Sequence, residues 1–378
     1  MSASCLLFSA HSASGQPILA AVLSRVYRII DGSRVSFEHD AQPVLEPTYS
    51  GGDYASISAF LTRDTDLFAP LKATTDVIVD GSAHSLRGKV TSVDTFVRVG
   101  PLFKEIRVTG DRTIDVDAQG NLRFSSPEPF ESLPLTWDRA YGGRDPFAEE
   151  ALFPQKRRLF TRPDPRPIIA YPRNPAGTGF FVDMERSRLS GARAPNLEDP
   201  SDPVFPHRLL ARSALDWINR PAAACYQPLD WLSFPRGAFI VEFEHEPTDR
   251  PLYEIVKRAL APGDIAPRNL GTRPDPRVYQ CAPAGLGGAC LRGGEPVRLR
   301  GLSPHRETLD FHLPIERPRF LVEPPGCDAL ELSVKLATVR IEPDADRITM
   351  SWTGTTEVAA EFPDEMCSAM RRAVLWSR

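Results

Sequence analysis

GPLFKEIRVTGDRTIDVDAQGNLRFSSPEPFESLPLTWDRAYGG, residues Gly100 to Gly143, is the stretch whose reading decides the fold. Gly100-Pro101, Gly110-Asp111 and Gly120-Asn121 punctuate three extended runs at a spacing of about ten residues, a common rhythm for small antiparallel strands. A Pro-broken segment and a compact WDRAYGG turn follow. Just upstream, Val93, Thr95, Val97 and Val99 fall on one face and Ser92, Asp94, Phe96 and Arg98 on the other. That period of two marks Thr91 to Val99 as a half-buried strand. Leu102 to Val108, Thr113 to Val116 and Leu122 to Phe124 are expected to continue it as a meander.

Closer to the N-terminus, Asp76 to His84 reads as a strand and a Gly turn, and Pro17 to Phe37 as a hairpin about Asp31-Gly32. Ile18, Ala20, Val22 and Val26 on one face and Leu23, Tyr27 and Ile29 on the other make its first strand apolar on both sides, the mark of a fully buried strand. Beyond residue 277 a second β unit is expected. It holds a strand at Val297 to Leu302 and a hairpin from Leu330 to Thr353 that turns at Pro343-Asp344-Ala345-Asp346. In the hairpin Leu332, Val334, Leu336, Thr338 and Arg340 share one face of the first strand, and Ile348, Met350 and Trp352 one face of the return. Met366, Met370, Ala373 and Val374 recur at helical spacing, so a helix is expected over Asp364 to Trp376, with Asp364 able to cap it. Leu252 to Ala261 reads as a short helix stopped by Pro262.

Between the two β units the chain changes character. The 37 prolines in 378 residues are roughly twice the usual ~5% share, and many lie between Pro127 and Pro235. Proline fixes φ and lacks a backbone donor, so sustained regular structure is excluded there. Large apolar groups such as Ile168, Tyr171, Phe180 and Phe181 argue equally against a disordered linker. The fold class is therefore mainly β: antiparallel sheets packed as a sandwich-like body, a long Pro-rich irregular arm and a short C-terminal helix. The expected division is an N-terminal β body over 1–143, the arm over 144–276 and a C-terminal β unit over 277–378, which alternatively form one continuous domain.

Composition narrows the function classes. A net charge of −4 gives no global attraction to nucleic acid or anionic lipid. No window approaches the ~20 apolar residues of a membrane helix, and Cys5-Leu6-Leu7-Phe8 is too short an apolar run, without a basic flank, for a signal peptide. The expected location is the cytoplasm. Six cysteines are scattered with no C-x-x-C pair, which favours buried reduced thiols over a zinc site. Neither a metal nor a cofactor is expected.

Within Trp137-Asp138-Arg139-Ala140-Tyr141-Gly142-Gly143-Arg144-Asp145, Asp138 or Asp145 could serve a hydrolase as general acid or base. The alternative is an internal Asp–Arg pair that fixes a sharp Gly-Gly turn. The Gly-rich run from Gly285 to Glu295 lacks the strand and helix context of a phosphate cradle and reads as a surface turn. Aromatic and arginine side chains in the arm are candidate protein-binding anchors: Phe153, Arg157, Arg158, Phe160, Trp217 and Trp231.

Several ordered motifs carry a family resemblance: DVIVDGSAH (76–84), FVRVG (96–100), IRVTGDR (106–112), SSPEPFESLPLTWDRAYGG (125–143), RNPAGTGF (173–180) and PNLEDP (195–200). VYQCAPAGLGGACLRGGEPVRLRGL (278–302), FHLP (311–314) and KLATVRIEPDADRITMSWTG (335–354) extend it over most of the chain. Together they resemble a bacterial adaptor family encoded beside type VI secretion genes. The resemblance implies a non-catalytic cytoplasmic adaptor or chaperone that holds a secreted toxin effector and helps load it onto a VgrG-type spike or its PAAR-type tip protein. Trp137, Asp138, Arg139, Tyr141, Gly142 and Gly143 would then be a structural signature. A structural component of the spike or baseplate and a β-sandwich hydrolase are the competing expectations.

Overall fold

A computed structural model describes residues 4–12, 15–38, 71–145, 147–148, 169–182, 186–212, 220–229, 279–326 and 328–377. The strands that carry the architecture are β1 (Ser4–His11), β2 (Pro17–Ile30), β3 (Arg34–Phe37), β4 (Asp76–Val79), β5 (Ser92–Val99), β6 (Leu102–Thr109), β7 (Ile114–Val116), β8 (Leu122–Phe124) and β9 (Leu197–Glu198). They continue as β10 (Pro296–Arg300), β11 (Thr308–His312), β12 (Arg317–Glu323), β13 (Leu330–Glu342) and β14 (Arg347–Glu357). A six-residue helix, α1 (Asp364–Ala369), and β15 (Arg371–Ser377) close the chain.

Eight strands form the larger sheet, in the order β1-β2-β14-β13-β12-β15, with β3 added to β2 and β4 to β13. Its long strands serve two bodies. The first part of β2 pairs with β1 and its end with β3. Likewise β12 pairs with the start of β13, and β4 runs parallel to its end. The end carrying β3 and β4 faces a five-stranded sheet, β9-β6-β5-β10-β11. Val77, Val79, Val339, Ile341, Ile348 and Met350 meet Val97, Val99, Ile106, Val297, Leu299 and Phe311 in one core. Two sheets each bury an apolar face, which is the physical reason for a sandwich. At the opposite end the sheet curls into a half-barrel. There β1 and β2 supply Leu7, Leu19 and Leu23 to a core shared with Phe320, Val322 and Leu332, and Cys367 of α1 and Met370 just after it plug it.

The hairpin at 17–37 forms as expected: Asp31 and Gly32 both take positive φ, 54° and 70°, as a tight turn in a twisted ladder requires. Nearly every residue of β2 is buried, which explains its apolar character on both faces. Three expectations need correction. The meander does not stay in one sheet. After β6 the chain leaves it, and β7 and β8 form a separate two-stranded ribbon whose Ile114 packs in a second core. Alternation in β13 is broken by a bulge between Leu336 and Thr338, so Val339 and Ile341, rather than Thr338 and Arg340, continue the apolar face.

The C-terminal helix stops after Ala369 and the chain becomes β15, paired over seven residues with β12. Val374, Leu375 and Trp376 favour a strand, and the open edge of β12 supplies the backbone partners that decide it. The Gly-rich run turns at the surface as expected, with Gly285, Gly288 and Cys290 exposed, and it is also anchored from within. Leu286 is fully buried and its carbonyl accepts from Val77 N, while Gly285 O accepts from Phe103 N, so the segment stitches β4 to β6. A Cβ at Gly285 would sit 2.4 Å from Phe103 O, which is why glycine occupies this joint. The helix expected at Leu252 to Ala261 lies outside the described residues.

Candidate functional site

The WDRAYGG segment is the knot from which the described part of the arm is built. Trp137 to Arg139 make one turn of 3-10 helix, with the indole buried and its Nε1 donating to Pro228 O at 2.9 Å. The turn then unwinds through Gly142 and Gly143, at φ 146° and 95°. A Cβ at either would lie 2.2 Å from a carbonyl oxygen, of Asn174 and Gly177 respectively. Only glycine permits that approach. The buried Asn174 amide donates to Trp137 O at 2.8 Å and to Tyr141 O at 3.1 Å. Asn174 O in turn accepts from Gly143 N at 2.8 Å. The strand pair Tyr141–Gly142 with Thr178–Gly179 is thus pinned by side chain and backbone together.

A second asparagine extends the knot. Buried Asn196 donates to Thr109 O and to Asp111 Oδ1, both at 2.9 Å. Arg139 reaches the same Asp111 oxygen at 3.0 Å. Arg139 therefore pairs with a residue outside the motif and not with Asp138 or Asp145. Burial works to raise the Asp111 carboxyl, but the Asn196 hydrogen bond and the Arg139 charge hold it below the ordinary carboxylate range. Asp145 is buried, and its oxygens accept from three backbone donors: Phe147 N at 3.1 Å, Ala148 N at 2.9 Å and Val182 N at 3.0 Å. Those contacts occupy the positions at which a general base would meet a substrate proton. Asp138 is half-buried, and no hydrogen bond or ion pair ties it to the described residues.

These bonds frame a second core of Ile114, Tyr141, Ala148, Tyr171, Phe180, Val182, Leu189, Val204 and Leu209, with Tyr141 edge-on to Tyr171 at 5.0 Å between ring centres. Two phenyl rings stand outside it. Phe147 is 63% exposed and follows Asp145 in the capped turn; Phe205 is 49% exposed and precedes the 3-10 turn Pro206–Leu209. Each neighbours a core residue, Ala148 and Val204 respectively. Each also meets a basic side chain: the Arg188 guanidinium lies 5.6 Å from the Phe147 ring, and His207 stacks on Phe205 at 5.8 Å. The Phe205 loop is held by Asp202, which pairs with Arg208 and accepts from Ala222 N at 2.7 Å. The arrangement presents aromatic groups on hydrogen-bonded turns to solvent, the chemistry of a protein-binding anchor.

The sequence-derived anchors Phe153, Arg157, Arg158, Phe160, Trp217 and Trp231 lie outside the described residues. Sequence reasoning missed Phe147 and Phe205. The signal was present in the Asp-x-Phe of 145–147 and the Pro-x-Phe-Pro of 203–206, where a constrained turn precedes an aromatic. It also missed a buried polar cluster. Lys72 Nζ lies 3.1 Å from Asp76 Oδ2 and donates to Thr338 Oγ1 at 2.9 Å, while Cys281 N donates to Asp76 Oδ2 at 2.9 Å. With both charges fully buried and mutually bonded, the cluster ties the 279–281 segment to the sandwich. Among the described residues, Cys225, Cys281 and Cys367 are buried, Cys290 is exposed, and no group of metal-ligating side chains gathers.

The family model described as "Uncharacterized protein conserved in bacteria (DUF2169)" matches residues 14–353, so the chain belongs to that family. No curated protein and no solved structure matches it. Among the described residues no helix is long and apolar enough to cross a membrane.

Proposed function

We propose that this chain is a non-catalytic adaptor that binds a secreted toxin effector and helps load it onto a VgrG-type spike or PAAR-type tip of a type VI secretion system. The observation that carries the reading is the pair of exposed rings, Phe147 and Phe205, on turns locked by Asp145 and Asp202. Rigid, pre-ordered aromatics lose little conformational entropy on binding and are typical hot spots. The ordered motifs of the adaptor resemblance support it further. Three of them, WDRAYGG, RNPAGTGF and PNLEDP, meet in the knot that holds those turns. Membership of a bacterial family is consistent with the role.

The test is a pull-down of the toxin encoded beside this gene, with wild type and a Phe147→Ser/Phe205→Ser double variant. The toxin should co-purify with wild type, and the variant should lose most of it while melting at an unchanged temperature. Deleting the gene should lower the toxin's cellular level. Unchanged toxin level and secretion in the deletion strain would end the adaptor reading. Stoichiometric recovery of the chain in purified spikes would replace it with a permanent structural component.

A further inference from the structure

The outer face of the five-stranded sheet is open to solvent. Side chains alternate along β5 and β6, so Val97, Val99, Leu102 and Ile106 enter the core while Phe96, Arg98, Phe103 and Glu105 point outward. The antiparallel register sets Arg98 opposite Phe103 and Phe96 opposite Glu105. The four Cβ atoms outline a square of about 5 by 7 Å, one strand spacing by two residues. Its rings occupy one diagonal and its two charges the other. Phe103 is 40% exposed, lies 6.0 Å from Phe96 between ring centres, and carries the Arg98 guanidinium 4.6 Å above its own ring.

Around this square the charges close within the chain: Arg107 Nε donates to Asp94 Oδ1 at 2.7 Å, and Arg298 Nε to Asp310 Oδ1 at 2.5 Å. Inside it they do not. Arg98 and Glu105 are exposed, and neither makes a hydrogen bond or an ion pair with the described residues. The register also places Arg98 directly opposite Arg298 of β10, a like-charge pair that a bare sheet face disfavours. A central arginine and two rings, rimmed by satisfied polar pairs, have the anatomy of an interface.

We infer that a second copy of this chain packs on this face. A two-fold axis laid along the Phe96–Phe103 diagonal leaves each ring facing its own counterpart and exchanges the other two corners. Arg98 of each copy then meets Glu105 of the other, and both ion pairs form at once. An axis along the other diagonal would set arginine on arginine and glutamate on glutamate. The charge pattern therefore selects one self-complementary arrangement, closed at two copies. Five strands spaced about 4.8 Å and about 20 Å long outline on the order of 500 Å² per copy. That is the low end for a specific interface, so the dimer is a reversible one of roughly micromolar affinity.

The test is sedimentation velocity of the full chain from about 1 to 100 μM, with circular dichroism confirming each variant's fold. Wild type should show a reversible monomer–dimer equilibrium. Arg98→Glu and Glu105→Arg each set like charges across the axis and should each weaken the dimer at least about tenfold. Mixing the two variants should restore it, because two carboxylates of one copy then face two guanidinia of the other. The double variant Arg98→Glu/Glu105→Arg should dimerise by itself. Arg319→Glu, on β12 and paired with Glu331, should behave as wild type. A wild type that stays monomeric to about 100 μM overturns the inference, and loss of toxin capture with Arg98→Glu would then assign the face to the toxin. A dimer that both single variants leave unchanged, or that their mixture fails to restore, overturns it as well. The adaptor reading is untouched by these outcomes, since it stands on the toxin's dependence on this chain.

Discussion

Asp145→Ala tests whether the WDRAYGG region holds a shape or performs a reaction. The carboxylate accepts from three backbone donors, two on Oδ1 and one on Oδ2, and the residue is buried. Removing it orphans those donors, each at a cost of about 1–3 kcal/mol. The N–H of exposed Phe147 recovers water most readily, which places the expected loss near the lower end, about 3–4 kcal/mol. Asp145→Asn keeps the Oδ1 acceptor and sets an amide donor against Val182 N, so about 1–3 kcal/mol is expected. Both follow from denaturant unfolding monitored by far-ultraviolet circular dichroism, as midpoint shifts at unchanged slope. Toxin capture should fall with the alanine variant, because the Phe147 turn loses the acceptor that locks it, and stay nearer wild type with the asparagine variant. If the alanine variant unfolds within about 1 kcal/mol of wild type, the reasoning that the carboxylate is structural is refuted.

Gly143→Ala should be among the most damaging single changes, at about 3 kcal/mol or more, because φ is 95° and the new Cβ meets Gly177 O at 2.2 Å. Gly88→Ala, at φ 84° with nothing within 4 Å, isolates the backbone part at about 1 kcal/mol, and melting temperatures compare the two. Trp376→Ala removes the ring beneath Arg25 and beside Trp352 and, the ring being half-buried, should cost about 2–3 kcal/mol in chemical unfolding, less than a core aromatic. The hydrogen bond from Arg107 holds the Asp94 carboxyl below its ordinary value. A depressed carboxylate stabilises the fold above its unfolded pKa of about 3.9 and loses that contribution as pH falls through the folded one. Arg107→Gln should therefore cost up to about 1 kcal/mol near pH 7 for this half-exposed pair, a difference that fades toward about pH 3.

The hairpin at 17–37, the alternation of β5 and the turn before β14 were all legible, because each depends on neighbours within a few residues. The same local evidence failed where distant backbone intervened. Residues 371–377 carry a plausible helical spacing, yet the edge of β12 offered seven paired residues and a strand resulted. The bulge in β13 moved Val339 and Ile341 onto the core face, a shift that composition does not announce. Candidate sites divide in the same way. WDRAYGG was recognisable as a sharp Gly-Gly turn, but the partner of Arg139 proved to be Asp111, supported by Asn196 from another segment. The Lys72–Asp76–Cys281–Thr338 cluster left no trace in sequence, since its members come from segments up to 266 positions apart.

By itself, then, the amino-acid order determined that this chain is mainly β and that Gly142-Gly143 must turn sharply. Those outcomes rest on φ restrictions and side-chain period, which are properties of a residue and its immediate neighbours. Only the tertiary structure decided which strands share a sheet, which charges are buried together and which aromatics remain outside. Those depend on pairing edges and cores assembled from both ends of the chain. The rings exposed at 147 and 205 are among the apolar groups that remained at the surface once that assembly was complete.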